Sequence, residues 1–207
     1  MARKRNSFAT LQKLAQQPSP KKTAVETCEL CRVTITPWHR HLLEVAKRQI
    51  VCACEACALR FQDVVGGSYK LIPRDVRTLP DFRLSDAQWD GLAVPISLAF
   101  FFYSTPAARM VAMYPSPAGA TESLLPLDTW EMLVAENHLL AQMEPDVEAL
   151  LVNRVGTKQL YCLAPIDTCY RLVGLIRLHW RGLSGGDRVW QEIEQFFDDL
   201  RGKMRTQ

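Results

Sequence analysis

The stretch V-C-A-C-E-A-C at residues 51–57 holds three of the chain's seven cysteines, and C-E-L-C at 28–31 holds two more. Cys28 and Cys31 form one C-x-x-C pair, and Cys54 and Cys57 form another. Such a turn aims two thiolates at one ion while nearby backbone amides stabilise their charge. Two of them supply four sulfurs, the tetrahedral set that structural zinc favours. The 22 residues between Cys31 and Cys54 slightly exceed the usual interval of about 15–20. The expectation is a small N-terminal module of zinc-ribbon or treble-clef type, held together by a metal.

Cys52 complicates this, because C-A-C-E-A-C offers three thiols for two places. If residues 49–53 form a strand, Cys52 and Cys54 share a face. Cys52 then replaces Cys54, adds a fifth sulfur, or stands as a free thiol beside the ion. W-H-R-H-L-L adds His39 and His41, also two apart, as additional or alternative ligands or as packing around the module. Four thiolates suit zinc or iron. Neither C-E-L-C-R nor C-E-A-C-A carries the glycine and proline common at mononuclear iron knuckles, which favours zinc. The surplus cysteine keeps an iron–sulfur cluster in view. A closed set of four sulfurs has no open position, so its role is structural.

Charge is unevenly spread along the 207 residues. Residues 1–22 carry Arg3, Lys4, Arg5, Lys13, Lys21 and Lys22 and no acid. Removing those six from 25 basic residues leaves 19 against 22 acidic ones, so a basic arm precedes a slightly acidic body. That balance disfavours a nucleic-acid surface over the fold. The arm lacks the apolar run of a secretion signal and the paired arginines of a twin-arginine signal. The longest apolar run, L-A-V-P-I-S-L-A-F-F-F-Y at 92–103, contains Pro95 and is too short to span a bilayer. A cytoplasmic protein without membrane insertion is expected, a setting where clustered cysteines bind metal or do redox work.

The expected organisation is a flexible basic tail at 1–25, with a helical turn or two in F-A-T-L-Q-K-L-A-Q. The cysteine module follows at 26–67, a connector at 68–92 and an α+β domain at 93–207. In the module, R-Q-I-V-C-A reads as a strand, and Ala58, Phe61, Val64 and Val65 recur at helical spacing. In the connector, S-Y-K-L-I-P reads as a strand and R-D-V-R-T-L-P-D-F as a loop. S-D-A-Q-W-D-G-L reads as a short helix capped by Ser85 or Asp86. V-P-I-S-L-A-F-F-F-Y-S and A-R-M-V-A-M-Y-P form a hairpin turning near Ser104–Ala107. P-S-P-A-G-A-T-E-S is a loop, and L-D-T-W-E-M-L-V-A-E-N is a helix with Asp128 as its N-cap. Two strands, E-P-D-V-E-A-L-L-V-N-R and K-Q-L-Y-C-L-A-P-I, meet near Val155–Thr157. A C-terminal helix pair follows, broken by L-S-G-G, its second member carrying Val189, Trp190, Ile193, Phe196, Phe197, Leu200 and Met204 on one stripe. Together these give an α+β fold with a mainly antiparallel sheet.

Other groups have weaker chemical signatures. Cys162 and Cys169 flank A-P-I-D-T and read as core side chains rather than a second metal pair. Cys169 as a nucleophile needs His138 or His179 beside it. Asp146 and Glu148 fall on one face of a strand without a partner base. H-W-R-G-L-S-G-G-D-R-V-W reads as a tight interhelical turn, and no Gly-rich phosphate loop is present.

C-E-L-C, H-R-H-L-L, V-C-A-C-E-A-C-A-L-R-F, L-P-D-F and A-F-F-F-Y-S-T-P-A resemble the motifs of an uncharacterised bacterial family. So do Y-P-S-P-A-G-A-T-E-S-L-L-P-L-D-T-W, P-D-V-E-A-L-L-V-N-R, P-I-D-T-C-Y-R-L-V-G-L-I-R-L-H-W-R-G and the final F-F helix. The resemblance spans nearly everything after residue 25. The family's first knuckle usually reads C-E-L-C-G, and this chain has Arg32 there. Genes of that family often lie among those of uptake [NiFe]-hydrogenases. The resemblance therefore implies a non-enzymatic accessory or maturation role, with a hydrogenase subunit or maturation factor as partner. Two other classes stay open: an iron or iron–sulfur electron-transfer protein, and a nucleic-acid-binding zinc ribbon aided by the basic arm.

Overall fold

The computed structural model describes residues 25–62, 67–182 and 184–204. The basic arm with its expected helical turn lies outside them, as do Val64 and Val65. Chain order is β1 (Arg40–Glu44), β2 (Gln49–Ala53), α1 (Glu55–Phe61), β3 (Tyr69–Leu71), β4 (Arg77–Thr78) and α2 (Asp86–Gly91). Then come β5 (Leu98–Ser104), β6 (Arg109–Ser116), β7 (Gly119–Ser123), α3 (Leu127–Glu136), β8 (Glu148–Asn153), β9 (Leu160–Pro165), α4 (Ile166–His179) and α5 (Asp187–Lys203). Two antiparallel sheets result, a small one ordered β2-β1-β3 and a large one ordered β4-β9-β8-β5-β6-β7.

The large sheet explains why L-A-F-F-F-Y is apolar without alternation. Both of its faces are covered, so both sets of side chains along a strand must be apolar. Phe100 and Phe102 pack with Val111, Met113 and the α4–α5 pair through Leu172, Ile176 and Phe197. Ala99 and Phe101 face the other way, against Trp89 of α2 and Trp130 and Leu133 of α3. The Phe101 and Trp130 rings stack at 5.6 Å. Ser85 caps α2 with a full capping box: its hydroxyl accepts from Gln88 N–H, and the Gln88 side chain accepts from Ser85 N–H.

Some local expectations need correction. P-S-P-A-G-A-T-E-S is not wholly loop, since Gly119–Ser123 pairs with β6 in the register Tyr114↔Thr121. Its small and polar residues fit an edge strand, which has no apolar stripe to advertise it. R-D-V-R-T-L-P-D-F contributes β4, whose Arg77 and Thr78 pair with Leu163 and Cys162. The N-cap of α3 is Pro126, so Asp128 sits inside the first turn and meets the helix dipole there.

The small sheet is built into the body. Along β1, Leu42 joins Cys28, Ile35, Ala53 and Ala58 in a core around the cysteines, while Leu43 joins Ile72 and Ile166 in the main core. Lys70 of β3 bonds the Asp146 carboxylate at 2.7 Å. The Arg48 guanidinium donates to Ser104 Oγ at 3.2 Å and lies over the Phe102 ring. No helix among the described residues is long and apolar enough to cross a membrane.

Candidate metal centre

The first knuckle is a tight hairpin. Cys28 N–H donates to Val33 O at 2.8 Å, Arg32 N–H to Cys28 O at 2.8 Å, and Ile35 N–H to Glu26 O at 2.9 Å. The corner residue is Arg32, whose φ of 66° is left-handed. This is a conformation glycine enters without a Cβ penalty and an L-residue rarely adopts. The second knuckle is a strand-to-helix turn. β2 ends at Ala53, Cys54 is the N-cap of α1, and its Sγ accepts from Cys57 N–H at 3.4 Å. Glu29 clamps the two knuckles together: its N–H donates to Cys52 O at 2.9 Å, and its carboxylate accepts from Cys52 N–H at 2.6 Å.

These turns bring the sulfurs of Cys28, Cys31, Cys54 and Cys57 within 4.8 Å of one another. Cys31 Sγ and Cys54 Sγ are 3.7 Å apart. A tetrahedral ion with metal–sulfur bonds of about 2.3 Å needs sulfur–sulfur edges of about 3.8 Å; the Cys31–Cys54 pair has that spacing, and the other pairs lie within reach of it. Its electrostatics point the same way. Burial raises the Cys28 thiol, but the backbone N–H groups of Cys54, Cys31 and Leu30 outweigh it and bring the group down to about 6. Burial, and then the neighbouring sulfurs of Cys31, Cys54 and Cys28, push Cys57 up to about 12. Four crowded sulfurs cannot all ionise unaided, and a cation at their centre removes that conflict.

Cys52 does not join this set. The chain bends after Ala53, so Cys54 turns into the cluster while Cys52 remains on β2, directly opposite His41 of β1. A ring nitrogen of His39, a ring nitrogen of His41 and Cys52 Sγ form a second group within 4.8 Å of one another. The His39 and His41 Nε2 atoms are 3.1 Å apart, with the rings edge to face. His41 Nδ1 bonds Asp167 at 2.7 Å, and His39 Nδ1 bonds Thr36 O at 2.9 Å, with Glu26 at 3.5 Å. Burial, and then the charges of Glu29 and Glu26, raise the Cys52 thiol above its ordinary range. Asp167 has no sequence signal for this place, because it lies 126 residues beyond His41. Only the packing of α4 against the small sheet brings it there.

The remaining candidates are engaged in packing, turns or ion pairs. Cys162 and Cys169 are fully buried, and burial pushes Cys162 up to about 12 and raises Cys169 well above its ordinary value. His179 lies on α4 ten residues beyond Cys169, about 15 Å along the axis. His138 belongs to a turn whose Leu140 packs in the opposite core. Asp146 is not on a strand. It has a left-handed φ of 71° and accepts from Thr105 N–H, Thr105 Oγ1 and Lys70 Nζ, each at 2.7 Å. Glu148 binds Arg77 and the Glu144 N–H. In H-W-R-G-L-S-G-G, Arg181 N–H donates to Gly185 O at 2.9 Å. A Cβ on Gly185 would meet Val189 Cγ1 at 2.8 Å, so that glycine serves the turn. This turn and P-S-P-A-G-A-T-E-S nonetheless border one cavity of about 710 Å³, through Trp180 and through Pro115–Pro117.

Fold and site together define a two-sheet α+β protein with a four-cysteine cluster at metal-binding distance. The chain matches the family of unknown function DUF5947 over residues 27–204 and belongs to it. Neither a curated protein nor a solved structure matches the chain.

Proposed function

We propose that the chain is an accessory protein whose four-cysteine module holds a structural zinc ion and serves as a rigid docking element. The closed geometry of Cys28, Cys31, Cys54 and Cys57 carries this reading. Four protein sulfurs fill a tetrahedral ion and leave no place for a substrate. Such an ion fixes the two knuckles against each other at the centre of the small core formed by Cys28, Ile35, Leu42, Ala53, Cys57 and Ala58. Around it, Val25, Val33, Trp38 and Leu59 stay in solvent, which suits contact with another protein. The family resemblance suggests the partner class, a [NiFe]-hydrogenase subunit or maturation factor. Affinity purification of the tagged full chain from hydrogenase-expressing host cells tests this. The expected result is a stoichiometric hydrogenase component, lost when Trp38 and Leu59 are both changed to Ser. Repeated recovery without any such component contradicts the partner.

A further inference from the structure

The contact between His39 and His41 poses a chemical problem. Each Nδ1 faces an oxygen: the Asp167 carboxylate at 2.7 Å, and the Thr36 carbonyl at 2.9 Å. A carbonyl or carboxylate oxygen accepts, so each Nδ1 carries the hydrogen. In the neutral tautomer this leaves both Nε2 atoms with bare lone pairs, and these are the two atoms 3.1 Å apart. Two lone pairs at that distance repel unless a positive species lies between or beside them. The distance itself is informative. Two imidazoles on one tetrahedral ion, with bonds of about 2.0–2.1 Å, have nitrogens about 3.3 Å apart.

The third member has independent support. Cys52 is the cross-strand partner of His41, and its sulfur completes a group whose ligand atoms lie within 4.8 Å of one another. The outer contacts are those that metal-ligating histidines make, with the far ring nitrogen donating to a carboxylate or a backbone carbonyl. His39 and His41 also border a cleft of about 490 Å³ between the small sheet and the α4–α5 pair, whose walls include Arg74, Arg171 and Lys203.

We propose that His39, His41 and Cys52 hold a second divalent transition-metal ion, distinct from the four-cysteine site, with its fourth position open to this cleft. Two imidazoles and one thiolate suit zinc or a similar borderline cation. Three protein ligands and an open place make the site one for a water or a small anion, not a structural closure. The basic cleft wall favours the anion. Asp167 is a positioning residue, holding His41 in the tautomer and orientation that present Nε2. The inference goes beyond the structural reading of the four cysteines and does not depend on it.

Cobalt titration of the metal-free full chain under anaerobic conditions tests it. Cobalt gives separable visible spectra for a four-sulfur site and for a site with two nitrogens and one sulfur. Native protein should take about two equivalents, one for each closed or open ligand set. Cys52→Ser and His41→Ala should each take one, with the four-sulfur spectrum retained, which also reports that the variant is folded. Asp167→Asn keeps all three ligands and should weaken only the second equivalent, by about 10–100-fold. One equivalent in the native protein with only the four-sulfur spectrum overturns the proposal and leaves a shared proton between the histidines. So do two equivalents retained in Cys52→Ser. Failure of the four-cysteine reading looks different: the four-sulfur spectrum is then missing from native protein, whatever the histidines bind.

Discussion

At the scale of single residues, the knuckles show what backbone conformation demands. Arg32 holds a left-handed φ of 66°, which costs an L-residue about 1–2 kcal/mol, partly offset because glycine loses about 0.5–1 kcal/mol more chain entropy on folding. Arg32→Gly should therefore stabilise the metal-loaded protein by roughly 0.5–1 kcal/mol, read by denaturant unfolding, with metal stoichiometry unchanged. Protonation follows from the same cluster. Cys57 is raised to about 12 and Cys31 is also raised, the latter by the sulfur of Cys28 acting against the Val33 N–H, so both carry protons near neutral pH. A cation must displace those protons, so its affinity should rise with pH and fall on acidification. Potentiometric titration of metal uptake in weak buffer should record acid release; uptake without proton release contradicts this. The paired spacing of the four cysteines was legible in the sequence. The separation of Cys52 from Cys54 was not, because it depends on β2 ending at Ala53 and the helix beginning at Glu55.

At the scale of elements, the readable pieces were those whose burial is one-sided or complete. α5 announces itself because Val189, Ile193, Phe196, Phe197 and Leu200 recur on one face, and all five are buried. Phe197→Ala should cost about 3–5 kcal/mol in denaturant unfolding, since the ring is enclosed between α5 and the large sheet. Ser85→Ala should cost about 1 kcal/mol through loss of the capping box on α2. Equal effects of the two changes would contradict the packing described. β7 and β4 escaped because one is a small polar edge strand and the other is two residues long. Neither length nor pattern distinguishes such pieces from loop until a neighbouring strand defines their register.

At the scale of the molecule, the small sheet and the large one share a core, and polar ties reinforce the join. Asp146 links Lys70 of β3 to the turn after β5, and its carboxylate is almost wholly buried. Asp146→Ala strands the Thr105 N–H and should destabilise the protein by about 1–3 kcal/mol. Because that turn and β3 belong to different sheets, it should also increase hydrogen exchange in both. The central claim is that Cys28, Cys31, Cys54 and Cys57 hold a metal ion. Metal content of the anaerobically purified full chain, beside that of Cys28→Ser/Cys57→Ser and with a visible spectrum of each, tests it most directly. The account predicts colourless protein and about one equivalent of zinc more in the native chain than in the double variant. Equal metal content in the two contradicts it, and iron with visible absorption in the native chain contradicts the zinc assignment and moves redox chemistry to the cysteines.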